Sequence, residues 1–250
     1  MNKTIATLEN RKSIRAYEKR DLEPNVKDQI IKATLRAPTA GNMMLYSIIE
    51  VADQSNKNKL AITCDNQPFI AKAPFVLLFL ADYQRWYDYY GICGIKKRRK
   101  PAKGDLMLAC CDALIAAQTS VITAESLGVG SCYIGDIMEN YEIHKQLFDL
   151  PRYVFPITMI CFGYPTGQQQ NRNLTQRFGK EFVYFKDTYK KHSKEDFQRM
   201  YKERHKQIFG SRSDIKGAVN VGQHMYQKKY TSEFAMEMNR SVELIFKNWL

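Results

Sequence analysis

Apolar side chains recur along the chain with two spacings, and each spacing predicts an element. Val26, Ile30, Ala33 and Ala37 fall at helical intervals over 25–37, where Pro24 suits the first turn and Pro38 stops the element. Small, turn-prone residues at 38–42 feed a strand-like run at 45–51, and a helix follows through Lys57, Lys59 and Leu60. Residues 75–81, Phe-Val-Leu-Leu-Phe-Leu-Ala, form an unbroken apolar run of strand length, as expected of a strand covered on both faces. The longest helical candidate spans 105–127. Leu106, Ala109, Cys110, Ala113, Ala117, Val121 and Ala124 are spaced to bury one side of it, and Gly128 ends it. Residues 128–136 hold Gly128, Gly130 and Gly135 and are expected to turn sharply. A helix at 139–148 and a strand at 153–162, entered through Pro156, close the patterned part. Between 82 and 104 the patterning lapses into an excursion. There Tyr83, Trp86, Tyr87, Tyr89 and Tyr90 crowd together, and the basic run Lys96-Lys97-Arg98-Arg99-Lys100 follows. Beyond Lys186 the pattern turns to helices rich in Lys, Tyr and Met.

Composition narrows the class. With 250 residues, 44% hydrophobic content, 13 Phe and 15 Tyr, the chain can bury one large core, with or without an appendage. No run approaches the roughly 18 consecutive apolar residues that span a bilayer. The first ten residues hold no apolar signal core, so a cytoplasmic protein is expected. The six cysteines include no CxxC, and the four histidines form no HxH or HxxxH pair. Free thiols in a reducing compartment are expected, and metal ligation is not. The net charge of +12 is shared unevenly, since residues 186–250 carry half of the excess. Such a balance suits an anionic ligand, a nucleic acid or an acidic surface.

The candidate chemistry begins at Arg11-Lys12-Ser13-Ile14-Arg15. If this stretch is extended, Arg11, Ser13 and Arg15 project to one side and Lys12 and Ile14 to the other. Two guanidiniums flanking a hydroxyl make a receptor for a dianionic oxyanion, because each offers a fixed fork of donors. The small residues of the 38–42 loop let backbone approach a planar ligand, and Asn42 can present an amide to it. Gln67 both donates and accepts, as a ring with mixed polar edges requires. The glycines of 128–136 can bring main-chain N–H groups against a ring, although the stretch matches neither a P-loop nor GxGxxG. The polar segment 168–178 supplies another guanidinium, Arg177. The aromatic-basic excursion could form a lid or an oligomer contact, or could stack and neutralise a nucleic acid.

Five blocks in order resemble the FMN-dependent nitroreductase family, especially its flavin-reductase-like, NADPH-preferring branch. They are 11–15, Ala37-Pro38-Thr39-Ala40-Gly41-Asn42, the Asn66-Gln67-Pro68 block running to Pro74, 130–136, and Gly163-Tyr164-Pro165 through Arg177 and Phe178. The resemblance spans roughly residues 8–185. It implies an α+β, three-layer fold with a central mixed or antiparallel sheet flanked by helices, assembled as an intertwined homodimer. It further implies an FMN-binding domain over 1–185 and a helical extension over 186–250 that packs on the core or on the partner subunit. Arg11, Lys12, Ser13, Arg15 and Arg177 would then grip the FMN phosphate and ribityl chain. Thr39, Ala40, Gly41 and Asn42 of the partner subunit, together with Gln67, would lie at the ribityl chain and ring edge. Tyr133, Ile134, Gly135 and Asp136 would place a backbone N–H near flavin N5. No catalytic side chain is implied, because the redox chemistry belongs to the flavin.

The same resemblance implies ping-pong turnover. NADPH or NADH would donate hydride, and a small-molecule acceptor such as a nitroaromatic, a quinone or free flavin would take the electrons. Lys202, Arg204 and Arg212 of the basic tail are candidates for holding the 2′-phosphate of NADPH. Two other readings stand beside this one, a flavin store or sensor with little turnover and a nucleic-acid-binding protein using the excursion and the tail. Neither a membrane nor a nucleic acid is the expected partner of the leading reading.

Overall fold

The computed structural model describes residues 2–249. Four strands form one antiparallel sheet in the order β1-β2-β4-β3, where β1 is Tyr46–Glu50, β2 Phe75–Asp82, β3 Gly130–Ile134 and β4 Val154–Gly163. β2 and β4 are central, and nearly every residue in them is buried. This is why β2 reads as a continuous apolar run rather than an alternating one. Pro156 is accommodated inside β4 by a register shift between Phe79 and Leu80 of β2.

The two faces of β2 divide the core. Val76, Leu78 and Leu80 join Cys132, Ile134, Met159 and Cys161 on one face. There they meet Leu60 of α3 (Gln54–Thr63) and Ile70 of α4 (Pro68–Lys72). On the other face Phe75, Leu77 and Phe79 pack with Ile30 of α2 (Pro24–Thr34) and with Ala113, Ala116, Ala117, Val121 and Ala124 of α6 (Lys103–Ser126). The result is the expected α+β, helix–sheet–helix layering, with an antiparallel sheet. α6 is long and apolar enough by composition to cross a membrane, yet nine of its residues are buried in the protein, among them Asp112 and Ser120.

Three features differ from the sequence reading. Residues 130–134 are not part of a sharp turn but form the edge strand β3, paired to β4 from Gly130 to Ile134. The chain turns instead on either side of that strand, at Gly128 (φ 76°) after α6 and in the 3-10 segment Gly135–Met138. Burial of Ser131 and Cys132 inside a short, weakly apolar run explains the miss. Residues 82–104 are not merely an excursion. They contain α5 (Gln84–Ile92), whose Tyr87 ring lies 5.0 Å from that of Tyr153 and whose Trp86 Nε1–H donates to the Met43 carbonyl (2.7 Å). The chain also does not divide at residue 185. One compact unit is Met1–Leu174 with Glu237–Leu250, and the other is Thr175–Met236.

The first unit therefore recovers the end of the chain. α11 (Glu233–Trp249) sends Ile245 and Trp249 into a core region shared with Leu45, Tyr141 and Phe155. Arg240 of α11 pairs with both Glu142 and Glu237. The second unit holds α9 (Lys194–Phe209), which opens with a capping box between Ser193 and Asp196. It also holds the short α10 (Val221–Met225), followed by a π-helical turn at Tyr226–Tyr230.

Candidate functional site

The short helix α1 (Lys3–Asn10) stops at Arg11, and the chain then runs extended along the free edge of β3. Ser13 forms a parallel bridge with Ser131, and the Ile14 N–H donates to the Ser131 carbonyl (2.8 Å). Ile14 is buried, and Gly130 is what admits it, since a Cβ at Gly130 would lie 2.5 Å from Ile14 Cγ1. Further on, Tyr17 bridges to Pro165 and the Glu18 N–H donates to the Tyr164 carbonyl (2.8 Å). The expected alternation is therefore met at Ile14.

The cations of this segment have different occupations. The Lys12 ammonium donates to the carbonyls of Gln170 (2.8 Å) and Arg172 (2.6 Å), closing the last turn of α8 (Gly167–Gln170). Arg172 in turn donates to the Ser13 carbonyl (2.5 Å). Arg15 is exposed, with its guanidinium 6.0 Å from the centroid of the Phe69 ring. Arg11 is half-buried, and its Nη1 is enclosed with no hydrogen-bond partner among the described residues. A buried N–H donor left unpaired costs about 1–3 kcal/mol, more when the group is charged.

Neighbouring groups register this field. Glu125, near the end of α6, accepts from Ser131 Oγ (3.3 Å). Burial pushes its carboxyl up to about 7, while Arg11 and Lys12 pull it down. Burial likewise raises the Cys132 thiol, against the pull of Arg15 and Arg11. Tyr133, whose hydroxyl donates to Gln118 Oε1 (3.0 Å), is pushed up to about 12 by burial. Arg11, Ser13, Arg15 and Tyr133 thus share one sheet edge. Past it, Gly135 opens the 3-10 turn, and a Cβ there would meet nothing within 4 Å.

Gln67 is the N-cap of α4, and its side-chain amide donates to the Cys64 carbonyl (2.8 Å). Asp136 acts on the same Cys64, whose thiol is raised chiefly by burial, which draws Gln67 and the 135–138 turn together. From Arg15 a cleft of about 880 Å³ continues past Lys19, Arg20, Lys57, Phe69 and Lys72.

The loop Thr39–Asn42 is built differently. Gly41 (φ 56°), Asn42 (φ 55°) and Met44 (φ 50°) are left-handed, and such a contorted loop must be held. Asp112 of α6 holds it, accepting from the Ala40 N–H (2.9 Å) and the Leu45 N–H (3.0 Å) while 3% exposed. Gly41 and Asn42 remain on the surface. Arg177 belongs to the second unit, where it borders a cleft of about 590 Å³ with Arg204, His224 and Lys228.

Sequence reasoning missed four residues of this region: Asp112, Glu125, Phe69 and Arg172. Only Asp112 left a usable signal, as a lone acid in the apolar middle of α6. Behind the 135–138 turn lies a second buried acid, Glu139, 5% exposed, with Oε1 unpartnered among the described residues. Burial, then Asp136, Asp65 and Glu237, push it up to about 7. Nearby, His144 donates from Nδ1 to the Ile137 carbonyl (2.8 Å), and burial lowers its pKa.

A family model described as the nitroreductase family matches residues 8–164. The chain belongs to that family. Two curated Bacillus subtilis proteins are similar to it over 190 residues, 76% of this chain and 75% of each of them. One, named as an NAD(P)H FMN reductase, is 32% identical, and the other, an NADPH FMN reductase, is 31% identical. Among solved structures, the NfrA1 nitroreductase from B. subtilis superposes with a TM-score of 0.83 at 26% identity, covering 97% of this chain and 98% of that one.

Proposed function

We propose that the protein is an NAD(P)H-dependent flavin oxidoreductase that binds FMN along the 11–15 edge of the sheet. The observation that carries this reading is the enclosed, unpaired Nη1 of Arg11 beside the exposed Arg15, within a chain that belongs to the nitroreductase family. The residues fit the group. Arg11 and Arg15 would hold the phosphate, with the Ser13 hydroxyl between them, and Gln67 would meet the ring edge. The uncrowded backbone at Gly135 would let a main-chain N–H approach the ring. Lys12 acts by fixing α8 to this edge, through the two carbonyls it already engages.

The cofactor would supply the redox chemistry, accepting a hydride from the nicotinamide and later releasing electrons to a nitroaromatic, a quinone or free flavin in ping-pong fashion. The protein's part is to hold the negative charge. Guanidiniums and N–H donors aimed at the phosphate and the ring edge cost no reorganisation once they are positioned.

The loop Thr39–Asn42 would serve the site of a partner subunit in a homodimer. Two features support this. α6 exposes Met107, Leu108, Leu114 and Ile115 on the side away from its buried face, and the loop is fastened to that same helix by Asp112. Of the tail cations considered for a 2′-phosphate, Arg204 is the one that suits the task, because it borders the cleft that holds Arg177 and Lys228. Arg212 is occupied with the carbonyls of Ile208 (2.5 Å) and Phe209 (3.3 Å), and Lys202 does not line that cleft. Six free cysteines agree with a cytoplasmic location.

The absorbance spectrum of the purified protein tests the proposal. A yellow protein whose flavin bleaches within seconds of anaerobic mixing with NADPH is expected. A colourless preparation that FMN does not reconstitute would overturn it, and bound flavin that does not bleach would favour a store or sensor.

A further inference from the structure

The flavin reading leaves one charged group at the phosphate anchor without a role. Glu125 is half-buried, accepts from Ser131 Oγ (3.3 Å), and Ser131 is the residue whose main chain seats Ser13 and Ile14. The carboxylate therefore stands at the same level of the sheet edge as the candidate anchor. The charged groups acting on it are Arg11 and Lys12, both from the extended segment. The Lys12 ammonium is committed to two carbonyls, whereas Arg11 keeps an enclosed nitrogen free. Arg11 thus acts through space on a resident carboxylate, with which it makes no ion pair among the described residues, and keeps a donor for an arriving anion. A second negative charge brought to this half-buried place raises the cost of the first, because neighbouring like charges cannot both ionise cheaply away from water. Burial has already pushed the Glu125 carboxyl up to about 7, so its proton is within reach at physiological pH.

We infer that Glu125 sets how strongly the Arg11 anchor prefers a flavin bearing a phosphomonoester over one without it, by taking a proton from solvent when the phosphate is bound. This rests on the flavin reading above. It makes Glu125 a positioning residue that acts through Arg11 and Ser131, with no direct contact with the flavin. When Glu125 is ionised it draws on Arg11 and opposes the phosphate. When it is protonated the guanidinium is released to the ligand, and the carboxyl oxygen still accepts from Ser131.

The flavin-free protein and its Glu125→Gln variant, which keeps an acceptor for Ser131, are titrated with FMN and with riboflavin at pH 6 and pH 8, by quenching of flavin fluorescence. At pH 8 the variant is expected to bind FMN about fivefold more tightly than the parent, the scale of one partly screened charge pair. At pH 6 the two should converge, and riboflavin should not distinguish them. The phosphate's own titration is common to both proteins and cancels in their ratio. The same ratio for FMN at both pH values, or a riboflavin change as large as that for FMN, overturns the inference. Calorimetry on the parent alone, in buffers of different ionisation enthalpy, provides a second reading that needs no variant. Net proton uptake on FMN binding at pH 7.5, absent with riboflavin, supports the inference, and net release overturns it. If neither protein binds FMN at either pH, the proposed function fails first and takes the inference with it.

Discussion

Two short cationic segments of this chain, 11–15 and 96–100, have opposite fates. The second is the more charged, yet its arginines are consumed by the fold. Arg98 donates to the Tyr87 carbonyl (2.6 Å), lies 4.4 Å above the Tyr87 ring and fills the space over Gly91, where a Cβ would come within 2.5 Å of it. Arg99 grips Asp105 through two hydrogen bonds (2.5 and 3.0 Å), and Asp105 also accepts from the Ala102 N–H (2.7 Å) at the start of α6. To meet a nucleic acid, both would have to give up these bonds. In the first segment only Lys12 is consumed. Charge density therefore does not distinguish the candidate site, whereas an enclosed guanidinium nitrogen with no partner among the described residues does.

This contrast breaks most visibly at Arg11. Arg11→Ala is expected to weaken FMN binding about ten- to a hundredfold, the scale of one lost charge-assisted hydrogen bond, with little change in thermal midpoint. An unchanged dissociation constant in a flavin titration would end the assignment. Arg15→Ala should cost about tenfold, because this exposed side chain has solvent as an alternative. The flavin-to-protein ratio after gel filtration would show it, and full retention would remove Arg15 from the anchor. Arg98→Ala should do the reverse. Flavin affinity stays as it was, and urea unfolding shows a loss of about 1–2 kcal/mol from the orphaned Tyr87 carbonyl and the lost ring contact. Equal stability would mean that the excursion does not depend on Arg98.

The smallest effect separates a waiting donor from a merely trapped acid. Glu139 is also buried, with an oxygen unpartnered among the described residues, but its charged neighbours Asp65, Asp136 and Glu237 are all acids. Its pKa in the folded protein, about 7, exceeds the ordinary value of 4.5. The unfolded chain therefore gives up this proton first as pH rises, and stability falls between about pH 4.5 and 7. Glu139→Gln removes that loss. Solvent screening reduces the full linkage effect, so its thermal midpoint should exceed the parent's by a few degrees at pH 8 and by much less at pH 5. A gain of the same size at both values would point to packing and not to charge.

Much of the fold was legible from spacing. β2 was visible as a continuous apolar run because it is covered on both faces, and α6 because its small residues repeat at helical intervals. β3 was not, since a short edge strand whose buried members include Ser131 and Cys132 owes its identity to pairing with β4. The same limit applies to the candidate site. Arg11, Ser13 and Arg15 were legible as a candidate oxyanion receptor, by alternation together with the order of the family-like blocks. That Lys12 and Arg212 are spent on carbonyls, while Arg11 is not, depends on segments more than a hundred residues away for Lys12 and on one helix turn for Arg212.

By itself the sequence determined most of the helices and strands, through periodicity, while the layered architecture and the candidate chemistry followed from residue blocks in an order that resembles a family. Only the tertiary structure decided which of those residues are free to act. Hydrogen-bond capacity is finite, and the bonds that exhaust it are made between segments brought together by folding. Glu125 and Asp112 illustrate the point, since each is an unremarked acid in the sequence. Folding sets one beside the candidate anchor and uses the other to hold a loop.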